Sequence, residues 1–110
     1  MRNTTRKILI QLGLTPNYKG FHAIVEAVEL FAANPTIPTM NIYRDVGKKL
    51  NVSPQNVERT IRTGNRVILE RYNSELLDKI FGYAILSEGN IRNSDFIAAL
   101  TMYVQEVTNV

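Results

Sequence analysis

An all-α fold of about six helices around a helix-turn-helix is predicted for this 110-residue chain. Three observations predict it. Apolar residues recur three and four apart in most segments between the Gly and Pro breaks. Ser53-Pro54 is a strong helix-start signal: a side-chain cap, then a residue whose missing N–H costs nothing at the first helical position. The helical pattern before it is separated from it by only the three residues Asn51-Val52-Ser53.

Taken in order, Thr5 to Leu12 is a short first helix with Ile8, Leu9 and Leu12 on one side, ended by Gly13. Lys19 to Ala33 follows, with Phe21, Ile24, Val25, Val28 and Phe31/Ala32 at helical spacing, and Asn34-Pro35 stops it. Residues 34–40 form a Pro/Thr loop. Asn41 is the expected cap of a third helix through Leu50, with Ile42, Val46 and Leu50 buried. The helix opened by Ser53-Pro54 runs to about Tyr72. Ser74 caps a short helix carrying Leu76, Leu77, Ile80 and Phe81. Tyr83 to Leu86 has the composition of a short strand, but no partner for it is evident. Asn93 or Ser94 starts the last helix, with Phe96, Ile97, Leu100, Tyr103, Val104 and Val107 apolar.

Composition narrows the class. At 45% hydrophobic and 21% charged, the chain has the make-up of one ordinary globular domain over residues 1–110. No apolar run approaches the ~20 residues of a bilayer span. The N-terminal MRNTTRKILIQLGL has the basic start of a signal peptide, but Gln11 interrupts its apolar stretch and no small-residue cleavage site follows. It reads as a mature helix of a cytoplasmic protein. The absence of cysteine excludes disulfides and thiolate metal sites. Net charge is +3, unevenly spread. Residues 41–71 hold seven of the thirteen cations and three of the ten anions, a net +4 that leaves −1 for the rest. A local positive patch is the footprint of a phosphate-backbone binder, although a solvated charged face has the same composition.

The helix from Pro54 sorts into two faces. At ~100° per residue, Ile61, Gly64, Ile68 and Tyr72 fall within roughly 60° of Val57 and form a core stripe. Gln55, Arg59, Arg62 and Arg66 fall roughly 140° to 200° away, a row opposite that stripe. Val46, Leu50, Val52, Val57 and Ile61 are the apolar residues expected to lock the two helices, with Gly47 allowing their close crossing. Arg grips guanine with two hydrogen bonds, Gln or Asn grips adenine, and Glu accepts from cytosine. The first turns of such a helix meet the base edges. Gln55, Glu58, Arg59 and Arg62 are therefore the base-reading candidates. Arg66, Lys48 and Lys49, with Thr63 flanking the row and Asn56 further round the helix, are candidates for the phosphate backbone. The competing reading is that these arginines solubilise a surface helix, paired with Glu58 and Glu70 four residues apart.

The remaining polar residues carry no catalytic constellation, and neither a metal nor a cofactor is expected. His22 stands without other ligand-type residues at metal spacing and is expected to cap or pack at the start of the second helix. Glu26, Glu29 and Asp45 read as solvated helix charges, and Ser94-Asp95 as a capping pair. Tyr43, Tyr72 and Tyr83 read as packing at the core edge, with a phosphate contact as the minor alternative for Tyr43.

The segment YRDVGKKLNVSPQNVERTIR resembles the helix-turn-helix of the C-terminal effector domains of stage 0 sporulation protein A, the response regulators that commit endospore formers to sporulation. LGLTPNYKGF and FGYAILSEGNIRNSDFIA resemble two further segments of that family, in the same order. The resemblance implies a six-helix fold, major-groove binding by the second helix of the pair, and transcription regulation. It implies double-stranded DNA, a second copy bound head-to-tail, and RNA polymerase, through its sigma subunit, as partners. Carried over by position, it places DNA contacts on Glu58, Arg59 and Arg62. The chain departs from the family in three places. Thr63 stands where the family commonly has a basic residue, often His. The loop Ser87 to Arg92 is a residue shorter and places Glu88 and Arg92 where the family carries lysines near DNA, so Arg92 is the backbone candidate there. Loop 34–40 is also shorter, and no receiver domain is expected within these residues. The alternative function is a protein-interaction module on the same fold that binds a related regulator or a polymerase subunit without reading DNA.

Overall fold

Residue Gly20 lies so close to the backbone of a neighbouring helix that a Cβ there would sit 2.4 Å from the carbonyl oxygen of Thr60. That contact joins the second and fourth of six α-helices in the computed structural model, which describes residues 1–71 and 74–109, Ser74 by its backbone only. The helices are α1 (Arg2–Gln11), α2 (Lys19–Ala33), α3 (Thr39–Leu50), α4 (Pro54–Arg71), α5 (Ser74–Phe81) and α6 (Asn93–Thr108). The central helix is α2, which packs against α1, α3, α4 and α6. The radius of gyration, 12.7 Å, is that of a single close-packed domain of this length. Among the described residues no helix is long and apolar enough to cross a membrane.

The apolar stripes predicted for α2, α4, α5 and α6 meet in one core. Phe21, Ile24, Val28, Val46, Val57, Ile61, Ile68 and Leu100 are all buried in it. Phe81 of α5 stacks on Phe96 of α6 with ring centroids 4.9 Å apart, which fixes the short α5 to the last helix. Gly64 completes the α2–α4 approach: a Cβ there would meet Ile24 Cδ1 at 3.1 Å and Leu14 Cδ2 at 3.3 Å. Two glycines thus let two helix backbones touch where side chains would hold them apart.

Several boundaries differ from the sequence reading. Helix α1 begins at Arg2, three residues before Thr5. The main-chain N–H and the side-chain hydroxyl of Thr5 both donate to the Met1 carbonyl, at 3.0 and 3.1 Å. Arg2 grips Glu26 of α2 with both terminal nitrogens, so tertiary contact holds a first turn that local propensity does not mark. Helix α3 begins at Thr39, and Asn41 is not its cap. The Pro38 carbonyl accepts from the N–H groups of Asn41 and Ile42 instead. No side chain caps α6 either, so Ser94-Asp95 is not a capping pair. Residues 82–84 form a 3-10 turn rather than a strand, and Tyr83 is 74% exposed rather than packed at the core edge. Leu50, Val52 and Val107 are also partly exposed rather than buried, because each lies at a helix end or turn past the rim of the core. Tyr72, assigned to the core stripe, and the Ser74 side chain, assigned as a cap, lie outside what is described.

Glu26 is not a solvated helix charge. Its carboxylate is held by Arg2 and, at 2.8 Å, by Lys49, tying α1, α2 and α3 together. The Arg2 hydrogen bonds, and then Lys49, hold the Glu26 carboxyl below its ordinary range against the opposing cost of burial. The folded state therefore binds this proton less readily than the unfolded chain. Its contribution is present above the ordinary glutamate range and is lost as the pH falls through that range toward the lower folded value. Glu26→Gln is expected to lower stability at neutral pH by about 1 kcal/mol, with less further loss on acidification than the parent. Parallel unfolding curves for parent and variant from neutral to acidic pH would contradict this.

Gly20→Ala is expected to destabilise the domain by roughly 1–3 kcal/mol through overpacking, beyond the ~1 kcal/mol that alanine gains in helix propensity. A urea midpoint equal to the parent's would show that the α2–α4 contact is not constraining.

Candidate nucleic-acid interface

The turn between α3 and α4 is built from backbone hydrogen bonds and one side chain. Asn51 adopts the left-handed conformation, with φ 59° and ψ 47°, which ends α3. Its N–H and that of Val52, the latter at 2.9 Å, both donate to the Gly47 carbonyl. A Cβ on Gly47 would sit 2.6 Å from the Val52 carbonyl oxygen. The glycine therefore makes room for the turn itself rather than for the crossing of α4, as the sequence suggested. Ser53 caps α4 as predicted: its Oγ accepts from the Asn56 N–H at 3.1 Å.

Both faces of α4 fall where the helical wheel puts them. Val57, Ile61, Gly64 and Ile68 are buried. Gln55, Arg59, Arg62, Thr63 and Arg66 are exposed, and Asn56 and Glu58 are half-buried beside them. Arg62 donates to Glu58 Oε1 at 2.6 Å, so two base-reading candidates are paired with each other. This is the i, i+4 pairing of the solubilising-face reading, but it is confined to that pair. Among the described residues, Arg59 and Arg66 make no ion pair. An exposed pair of this kind is worth at most about 1 kcal/mol, little enough to exchange for a stronger ligand. Thr63 donates its hydroxyl to the Arg59 carbonyl at 3.0 Å.

The other candidates divide. Lys48 is exposed at the end of α3. Lys49 is engaged by Glu26, on the side of α3 that meets α2. Tyr43 is buried, and its hydroxyl accepts from Asn93 Nδ2 at 3.2 Å, which places it in the structure rather than at a phosphate. Burial pushes its pKa up. His22 is exposed, with Nε2 2.8 Å from the Pro16 carbonyl oxygen and its ring edge-on to Phe21, a packing role at the start of α2.

Arg92 is brought beside the exposed face of α4 by the fold alone. A cleft of about 420 Å³ opens between the first turn of α3, the middle of α4 and the segment before α6. Glu58 and Arg62 line one wall, and Arg92 and Asn93 the other. Sequence reasoning missed two residues that build this wall. Asn65 lies buried on α4 and donates from Nδ2 to the Ile91 carbonyl at 2.7 Å. Asn93 donates to the Glu58 carbonyl at 3.1 Å as well as to Tyr43. The only available signal for Asn65 was a polar residue at the edge of an apolar stripe.

The arrangement is a helix with its apolar side fixed in the core and its arginine-rich side outward, flanked by one further arginine. It suits a polyanion whose groove admits a helix. In comparison with known families, the model described as "Sporulation initiation factor Spo0A C terminal" matches residues 5–104, which run from within α1 to the last turn of α6.

Proposed function

This chain belongs to the Spo0A C-terminal family, DNA-binding effector domains of sporulation response regulators, and we propose that it reads a specific duplex site by laying α4 in the major groove. One observation carries the proposal: the row Gln55, Arg59, Arg62 and Arg66 is exposed along α4, directly opposite its buried stripe. Any surface helix turns polar residues outward, but a row of groove-reading side chain types whose Arg59 and Arg66 make no ion pair among the described residues suits a groove better than a solubilising face. In this reading Gln55, Glu58, Arg59 and Arg62 meet base edges. Glu58 and Arg62 give up their mutual bond for base contacts in the complex.

Lys48, Asn56, Arg66 and Arg92 take the phosphate backbone, and Thr63 joins them once its hydroxyl leaves the Arg59 carbonyl, while Lys49 stays with Glu26 as a tie between helices. Thr63 offers only a hydroxyl where the family commonly has a cation, so the preferred site differs from the family's usual box. The proposal extends to head-to-tail pairing on DNA and to contact with the sigma subunit of RNA polymerase. It places the protein in the cytoplasm, acting as a regulator and not as an enzyme.

Selection of bound duplexes from a random-sequence pool tests the reading. The expected result is one short enriched motif, or paired copies of it. A pool without enrichment would favour the protein-interaction module instead. Against the selected duplex, Arg59→Ala is expected to cost roughly 1–3 kcal/mol and to relax preference at one base position while the fold stays intact. Arg66→Ala is expected to weaken all sequences alike and to lower the salt slope by about one. Unchanged binding by Arg59→Ala would remove Arg59 from the base-reading set.

A further inference from the structure

We infer that Asn65 and Asn93 are positioning residues that clamp Arg92 beside Arg62, making it a fixed second DNA contact rather than a loop residue. The inference rests on the DNA reading above. The clamp grips the chain on both sides of Arg92. Asn65 Nδ2 donates to the carbonyl of Ile91 at 2.7 Å, and Asn93 Nδ2 donates to the carbonyl of Glu58 at 3.1 Å. Both bonds end on α4, seven residues or about 10 Å apart along its axis. The segment 91–93 is therefore strapped along α4 between Glu58 and Asn65, level with Arg62.

The neighbours of Arg92 on either side are held. Ile91 is 6% exposed. The Arg92 carbonyl accepts from the Phe96 N–H at 2.8 Å. Asn93 uses its two amide donors on Glu58 and on the buried Tyr43 hydroxyl. The Arg92 side chain is left outward and exposed, across the cleft from Arg62. Two guanidinium groups held on facing walls repel each other in the free protein, a cost that Glu58 beside Arg62 and Glu88 near Arg92 only partly offset. Two buried or half-buried asparagines spent on holding that arrangement make physical sense when a phosphodiester backbone occupies it. Asn65 is itself a costly choice: it is 2% exposed, and its Oδ1 accepts no hydrogen bond among the described residues.

The test is a double-mutant cycle on the selected duplex, measured across a salt series. Arg92→Ala is expected to weaken binding severalfold and to lower the salt slope by about one. Asn93→Ala is expected to produce the same two changes with Arg92 still present. In the Asn93→Ala background, Arg92→Ala is expected to add little, while Arg59→Ala keeps its full effect. That pattern separates positioning of Arg92 from general damage to α4. Amide exchange in the free protein supplies a second measurement: residues 90–92 speed up in Asn93→Ala and in Asn65→Ala, while Val57 and Ile61 stay protected. A full, additive Arg92→Ala penalty in the Asn93→Ala background overturns the clamp and leaves DNA reading intact. An Arg92→Ala variant that binds like the parent also overturns it. A parent protein that binds no duplex overturns both.

Discussion

The close approach of α2 and α4 is the constraint on which the rest depends. Gly20 brings α2 against the Thr60 carbonyl, and Gly64 receives it between Ile24 and Leu14. Once two backbones touch, α4 cannot roll without forcing its neighbours apart, since close-packed interiors transmit rather than absorb such shifts. Its rotation fixes which residues lie inward, Val57, Ile61 and Ile68, and so which lie outward, Gln55, Arg59, Arg62 and Arg66. The functional face is thus a consequence of packing on the opposite side of the same helix. The turn at Asn51 and the Ser53 cap set where α4 starts, and the two glycines set how it is turned.

Features that depend on neighbours in sequence were legible from it. The Ser53-Pro54 start needs only a hydroxyl, three residues and a fixed proline φ. The two faces of α4 follow from periodicity alone. Features that depend on distant partners were not legible. The first turn of α1 forms because Arg2 meets Glu26, twenty-four residues away. Lys49 reads as a free cation until the fold sets it against the same carboxylate. Leu50 and Val52 have the right spacing for burial, but lie where the chain turns out of the core. Asn65 and Asn93 are unremarkable polar letters whose partners, Ile91 and Glu58, are respectively twenty-six and thirty-five residues away.

The charge count changes meaning in the same way. The +4 of residues 41–71 already counts Glu58, but not Glu26 or Arg92, so the linear sum misplaces the charge that a ligand meets. Lys49 is matched by Glu26, and Arg62 is shared with Glu58. Arg92, outside that segment in sequence, returns a cation to the same face. The exposed cations therefore come from three elements of the fold rather than from one linear run. On α4, Arg59 and Arg66 make no ion pair among the described residues, and Lys48 and Arg92 join them from the flanking elements.

The central claim is that α4 and the segment strapped to it form one rigid DNA-facing surface. A titration of isotope-labelled protein with the selected duplex, followed through backbone amide shifts, tests it most directly. The account predicts large changes together at residues 55–66 and 91–93, with the same dissociation constant for both, and little change in α1. Changes confined to the exposed face of α6 or to α1, with residues 55–66 unmoved, would contradict it.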